Sequence, residues 1–396
     1  MTLKIRFQLS SMMLLQYFVW GCWYVTMGNY LMKTLNFDGE EVGHAYSTFA
    51  IAAMISPFFV GMIADKYFAI ERLLGALHLI GGVLLFAISE VQTFWSFYVL
   101  LLAYSFCYTP TMALSNTLSF SQLKDPGKEF PGVRVLGTIG WIIAGLTIGF
   151  LGIEDKATFF KIAAAISIVL GLYCFTMPHV PPNKDQGKKT FTQILGLDAF
   201  KLFKEKDFVI MIISSVLICI PLMFYYSFTN AFLNESEMTN AAGKMTMGQM
   251  SEIIFLLIMP FFFKRFGVKK MILIGMAAWI LRYLLFAYGN NETLVWMFYL
   301  GIILHGICYD FFFITGQIFV DKRAPENLRN SAQGIITFAT YGVGFYIGTI
   351  ASGKIVDLYV IGNNLHDWNM IWLAPAAFSI FVLIFFAIFF KDKIKA

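Results

Sequence analysis

Apolar runs of helical length recur along the whole chain, and charge is nearly absent from the middle of each. They fall at 9–32, 41–64, 73–91, 95–120, 133–152, 158–177, 207–233, 247–263, 270–289, 295–320, 329–353 and 368–390. Roughly twenty apolar residues are what a helix needs to cross the hydrocarbon of a bilayer. Unbroken runs of this kind are not the ten-residue alternating segments of a membrane barrel, and within lipid each span must satisfy its own backbone hydrogen bonds. The expected class is therefore an all-α polytopic membrane protein with about twelve spans. With 58% hydrophobic and only 13% charged residues among 396, an ordinary soluble protein is excluded.

The net charge of +5 is accounted for by topology and calls for no nucleic acid or other acidic partner. Of the 29 Lys and Arg, 23 lie on the side that holds both termini, the turns 65–72 and 121–134, the linker 178–206 and the turns 264–270 and 321–329; five lie on the other. The positive-inside rule makes the rich side, and both termini, cytoplasmic. Arg282 alone sits well inside a span. Cys22, Cys107, Cys174, Cys219 and Cys308 fall in apolar runs with no metal-ligand spacing, so they read as small core hydrophobes. The first run is too long for the apolar part of a cleavable signal.

The longest polar interruption, Pro178 to Lys206, follows six spans, and its stretch from Phe191 to Phe203 fits an amphipathic surface helix. It divides the chain into a six-helix half at 1–177, a cytoplasmic linker at 178–206 and a second six-helix half at 207–396. Weak internal similarity at an offset of about 200 residues supports a duplication. The turn from Gly61 is echoed from Pro260, and the CYTP of Cys107 to Pro110 by the CYDF of Cys308 to Phe311. Duplicated halves of six spans are a transporter architecture.

The Gly-x-x-x-Asp-Lys turn at Gly61 to Lys66 resembles the signature of the major facilitator superfamily. The match extends further, through Trp20–Leu31, Tyr108–Phe120, Phe130–Trp141, the LGLDAFKLFK stretch, Gly248–Glu252 with PFFFKRFGVKK, and Ser331–Gly334. Together these resemble the nucleoside:proton symporter family. That resemblance implies a transporter and not an enzyme: a proton-coupled nucleoside importer of the plasma (bacterial inner) membrane, working by alternating access. It implies no cofactor beyond the coupling proton; a monomer is the default for the architecture.

Several ionisable or aromatic residues stand at membrane depth, where they are costly unless they have a partner, a cavity or a proton to carry. Span five opens with Arg134, followed by Thr138 and Trp141 on one face; the guanidinium can fork hydrogen bonds to a sugar or base and the indole can stack on a heterocycle. The bland alternative is an arginine serving topology beside glycines serving helix packing. Gln249 and Glu252 lie three apart in span eight, Glu252 being either a site carboxylate or a charge stabilising a nearby helix start. In span seven Pro221 should kink or loosen the helix before Met223, Tyr225 and Tyr226. Span ten carries His305 and Tyr309 on one face, with Asp310 about 100° further round. His78 has no matching motif and reads as a packed or peripheral histidine, and Arg282 is either a counter-ion to Asp310 or Glu252 or a snorkelling cation.

The resemblance assigns substrate binding to Arg134, Thr138, Trp141, Met223, Tyr226, Gln249, Glu252, His305 and Tyr309. The chain departs from the better-known permeases at four of these positions, carrying Met223 and Tyr226 in place of glutamine and asparagine, and His305 and Tyr309 in place of tyrosine and phenylalanine. Proton coupling needs a carboxylate in so poor a solvent that its proton leaves only near neutrality. Asp310 is the first choice and Glu252 the second. The nearest rival reading is a symporter for a sugar or a modified nucleoside. An intramembrane aspartyl protease is the remote one, because Tyr309-Asp310 is a YD pair, although no other span supplies a second aspartate.

Overall fold

The computed structural model describes residues 2–66, 68–182, 197–362 and 365–391. Twelve membrane-length helices account for nearly all of them. α1 is Leu3–Trp23 continued by Met27–Lys33; α2 is Gly39–Lys66, α3 Ile70–Ile88, α4 Phe94–Gln122, α5 Pro126–Leu151 and α6 Thr158–Cys174. α7 is Lys206–Glu235, α8 and α9 are 241–266 and 268–288, α10 is Val295–Arg323, α11 Arg329–Leu358 and α12 Trp368–Phe389. α8 and α9 run on from one another through Gly267, whose φ of 68° and ψ of 178° turn the chain without a loop. Extended pairing among the described residues is confined to one bridge, Val360 with His366.

Contacts divide the chain into two compact units, Met1–Phe37 with His44–Lys188, and Asp38–Gly43 with Lys189–Ala396. In the first, α1 packs along α5 and α6, and α3 along α4 and α6. In the second, α7 packs on α11 and α12, and the α8–α9 pair on α10 and α12.

Three helices, α1, α5 and α8, begin six or seven residues earlier than hydropathy suggests, for one reason. Their first turns are polar and lie outside the apolar window, but they are capped or helical all the same. Asp125 caps α5 by accepting from the Lys128 amide at 3.3 Å, with Pro126 in the first turn where a missing N–H costs nothing. Arg134 therefore does not open span five; it lies two turns inside it. α8 begins at Ala241, so Glu252 stands three turns from the helix start and the helix-terminus account of it fails.

Three further details depart from the sequence reading. α7 runs unbroken through Pro221, whose carbonyl accepts from the Tyr283 hydroxyl. α1 breaks at 24–26, where the Tyr46 hydroxyl bridges the gap by donating to Tyr24 O at 2.6 Å and accepting from Gly28 N at 3.1 Å. In the expected surface helix, 191–196 lies outside the described residues, and Leu197–Lys204 is a tight 3₁₀ segment instead of an α-helix.

Candidate functional site

In the first unit the predicted stripe on α5 faces α1. A Cβ at Gly140 would stand 2.1 Å from Leu14 O, so only glycine permits this approach, and the packing account of the α5 glycines holds at Gly140 and at Gly137. The same approach brings the site candidates onto aromatic partners. The half-buried Arg134 guanidinium sits 4.1 Å from the centroid of Tyr17, a cation–π distance. Trp141 meets Trp20 edge-on at 5.0 Å, and Trp20 is stacked on Phe49 at 5.1 Å and edge-on to Tyr24 at 5.4 Å. Thr138 lies half-buried between Arg134 and Trp141 on the same helix. The aromatic box of Tyr17, Trp20, Tyr24 and Phe49 was not among the predicted site residues. Its signal was present, since Tyr17, Trp20 and Tyr24 follow helical spacing in α1.

Deeper in this unit, His78 of α3 is fully packed and hydrogen-bonded at both ring nitrogens. Nε2 lies 2.6 Å from Gln16 Oε1 and Nδ1 lies 3.3 Å from Ser167 Oγ. Gln16 donates its amide N–H to Thr111 Oγ1 at 2.7 Å, and Tyr108 donates to Gln16 O at 2.7 Å. Because the Gln16 amide nitrogen is committed to Thr111, its oxygen must accept, and His78 carries a proton on Nε2. The network joins α1, α3, α4 and α6 beside Pro110.

In the second unit α8 and α10 approach closely, for a Cβ at Gly306 would meet Ser251 O at 2.6 Å. α10 is interrupted between Val295–Ile303 and His305–Tyr309; Leu304 keeps its own i→i−4 bonds to Leu300 O and from Cys308 N, while its neighbours on either side do not. The groups released there are taken up by side chains. Arg282 donates to Gly301 O at 2.8 Å and Ile302 O at 3.3 Å, and Ser251 Oγ accepts from Gly306 N at 3.0 Å. Arg282 is fully buried, with its guanidinium 4.0 Å from the Tyr225 centroid. Among the described residues its hydrogen bonds go to these backbone carbonyls, and the Asp310 carboxyl oxygens accept none from it. It serves the broken helix.

His305 stacks on Tyr225 at 5.1 Å, meets Tyr226 edge-on at 6.0 Å and lies 5.8 Å from Tyr309, so these candidates do come together. Gln249 is buried and Glu252 half-buried on α8, whose Gly248 faces His305. Met223 stands apart, fully buried beneath α11 against Gly348. Tyr309 Oη is 2.9 Å from Tyr341 Oη of α11, a partner not foreseen in sequence.

Asp310 follows Tyr309 and begins a wide, π-helical turn, Asp310–Ile314. Its side chain is fully buried, and neither carboxyl oxygen has a hydrogen-bond partner among the described residues. His305 Nδ1, Tyr225 Oη and Arg282 Nη1 are likewise buried and unpartnered. A second wide turn, Phe338–Gly344, lies in α11. Such turns recur at functional sites because they re-aim side chains at the cost of regular hydrogen bonding.

Residues 3–395 match the family model described as Nucleoside H+ symporter. The nucleoside permease NupG of Escherichia coli (strain K12) is 37% identical over 406 residues, covering 99% of this chain and 97% of NupG. The xanthosine permease of the same organism is 36% identical over 414 residues, covering 99% of each. The crystal structure of nucleoside transporter NupG aligns with a TM-score of 0.91 at 37% identity, over 98% of this chain and 100% of that one. The fold is the twelve-helix major facilitator type, and the relatives are transporters, not enzymes. Similarity that runs through both six-helix halves, on sequence and on backbone alike, makes the chain a member of the nucleoside H+ symporter family.

Proposed function

We propose that this protein imports nucleosides into the cytoplasm by proton symport, through alternating access, with both termini cytoplasmic in a bacterial inner membrane. The observation that carries the coupling is Asp310. An ionised carboxylate without solvent or a hydrogen-bond partner is costly at membrane depth. In this reading the buried state of Asp310 is the protonated one, and ionisation waits until water reaches the carboxyl. Substrate affinity that differs between the two charge states is then sufficient for coupling, because each ligand shifts the equilibrium of the other by the same factor.

In the first unit the assigned contacts are Arg134 and Thr138, which hydrogen-bond the substrate, and Trp141, which stacks on its base. In the second they are Glu252, toward the ribose hydroxyls, with Gln249, Tyr226, His305 and Tyr309. Met223 contributes packing under α11, which makes it the weakest of the substrate-binding assignments.

Uptake of radiolabelled uridine, adenosine and xylose into cells expressing the protein, at two external pH values and with an uncoupler, tests this reading. Nucleoside accumulation that rises in acid and collapses with the uncoupler supports it. Accumulation of xylose without either nucleoside would transfer the assignment to a sugar symporter of the same fold.

A further inference from the structure

Beside Tyr309 a narrow cleft runs between α7, α10 and α11, walled by Leu222, Tyr309, Phe313, Gln317, Thr340 and Tyr341 among others. The volume open to the centre of a water-sized group is about 10 Å3, room for one such group. No lining residue carries a formal charge, so a phosphate or carboxylate would enter without a counter-charge. Hydrogen-bonding capacity is nonetheless dense. The Tyr309 and Tyr341 phenols share one hydrogen bond at 2.9 Å. Whichever donates, Tyr309 Oη keeps a lone pair to offer, and when Tyr341 donates it also keeps its proton. The Thr340 hydroxyl donates to Ile336 O at 2.8 Å, so its oxygen still accepts. Gln317 is exposed at the other end. Two wide turns form the opposing walls, with Phe313 in one and Thr340 and Tyr341 in the other.

We infer that this cleft seats a single uncharged hydroxyl or carbonyl group of the transported molecule, and that Tyr341, by holding the Tyr309 phenol, sets which group is accepted. The inference rests on the nucleoside-import reading. Tyr309 touches the substrate; Tyr341 is a positioning residue that acts through it. A phenol held by one partner has a preferred direction for its remaining hydrogen bond, whereas a free one rotates to suit any ligand.

The test measures initial uptake of uridine and of its 2′-deoxy, 3′-deoxy, 5′-deoxy, 2-thio and 4-thio analogues by the wild type, Tyr309→Phe, Tyr341→Phe and the double variant. Membrane content of each is quantified alongside. Each single variant is expected to raise KM for uridine about tenfold with kcat little changed, as for one lost hydrogen bond to substrate. The double variant should be no worse than either single, and one analogue should lose its disadvantage against uridine in both. Equal weakening of all six substrates, additive effects, or unchanged uptake by Tyr341→Phe would overturn the inference while leaving nucleoside import intact. Should Tyr341→Phe fail to reach the membrane, Tyr309→Phe alone decides: it must abolish discrimination against one analogue. A wild type that takes up no nucleoside removes the parent reading, and this inference with it.

Discussion

Each six-helix unit buries a polar cluster, one around His78 and one around Asp310, and the two clusters are satisfied in opposite ways. Around His78 every participating side chain finds a partner: ring to Gln16 and Ser167, Gln16 to Thr111, Tyr108 to the Gln16 carbonyl. Around Asp310 the polar atoms are equally buried, yet the two carboxyl oxygens, His305 Nδ1, Tyr225 Oη and one Arg282 nitrogen have none. A closed network specifies a packing arrangement, and its members have nothing left to offer a ligand or a proton. An open one is costly to keep, and it is retained where something else completes it. Depth alone does not separate the two clusters; unfilled hydrogen-bonding capacity does.

Substitution can break this contrast at several points. The largest expected effect is Asp310→Asn, which keeps shape but cannot release a proton. Accumulation of nucleoside against its gradient should vanish while exchange across the membrane persists, as read by counterflow in vesicles. Continued concentration of substrate would remove Asp310 from the coupling step. Next comes Arg282→Leu, which strips the Gly301 and Ile302 carbonyls of their donor and should destabilise the protein by about 2–4 kcal/mol, measured by thermal unfolding in detergent. A counter-ion role would instead show as restored stability when Asp310→Asn is added.

His78→Leu should cost about 2 kcal/mol by orphaning Gln16 and Ser167, with KM unchanged in the protein that survives. His305→Leu should do the reverse. It costs about 1 kcal/mol or less, since Nδ1 has no bond to lose and only the ring contacts with Tyr225 and Tyr226 go, and it alters uptake. If the two histidines behave alike, the contrast between the two clusters fails. The smallest effect is Ser251→Ala, about 1 kcal/mol for the unpartnered Gly306 amide.

The number and order of the helices were legible because lipid imposes a length and a polarity that hydropathy reads directly. Their ends were not, because a capped polar turn such as Asp125–Glu129 is helical without being apolar. The stripe of Arg134, Thr138 and Trp141 was found by spacing. Its aromatic partners on α1 needed the close approach at Gly140, which no single-helix periodicity contains. Arg282 was undecidable from sequence for a similar reason. Its partners are backbone carbonyls, freed by an interruption around Leu304 that no proline announces and whose flanking glycines, Gly301 and Gly306, sit in an otherwise helical pattern. His78 and His305 looked alike as letters in apolar runs, and only the neighbours brought by other helices separate them.

The wide turn Asp310–Ile314 has a consequence of phase. On a regular α-helix, residues four apart advance by about 40°, so Tyr309, Phe313 and Gln317 would drift by about 80°, across most of one helix face. The slower winding of an i→i+5 turn takes up that drift, and all three line the same cleft. The turn thus acts as a single-residue insertion that keeps two stretches of α10 in register with one wall. Deleting one residue from it would leave the apolar composition of the helix untouched and rotate everything from Thr315 onward by about 100° relative to Tyr309.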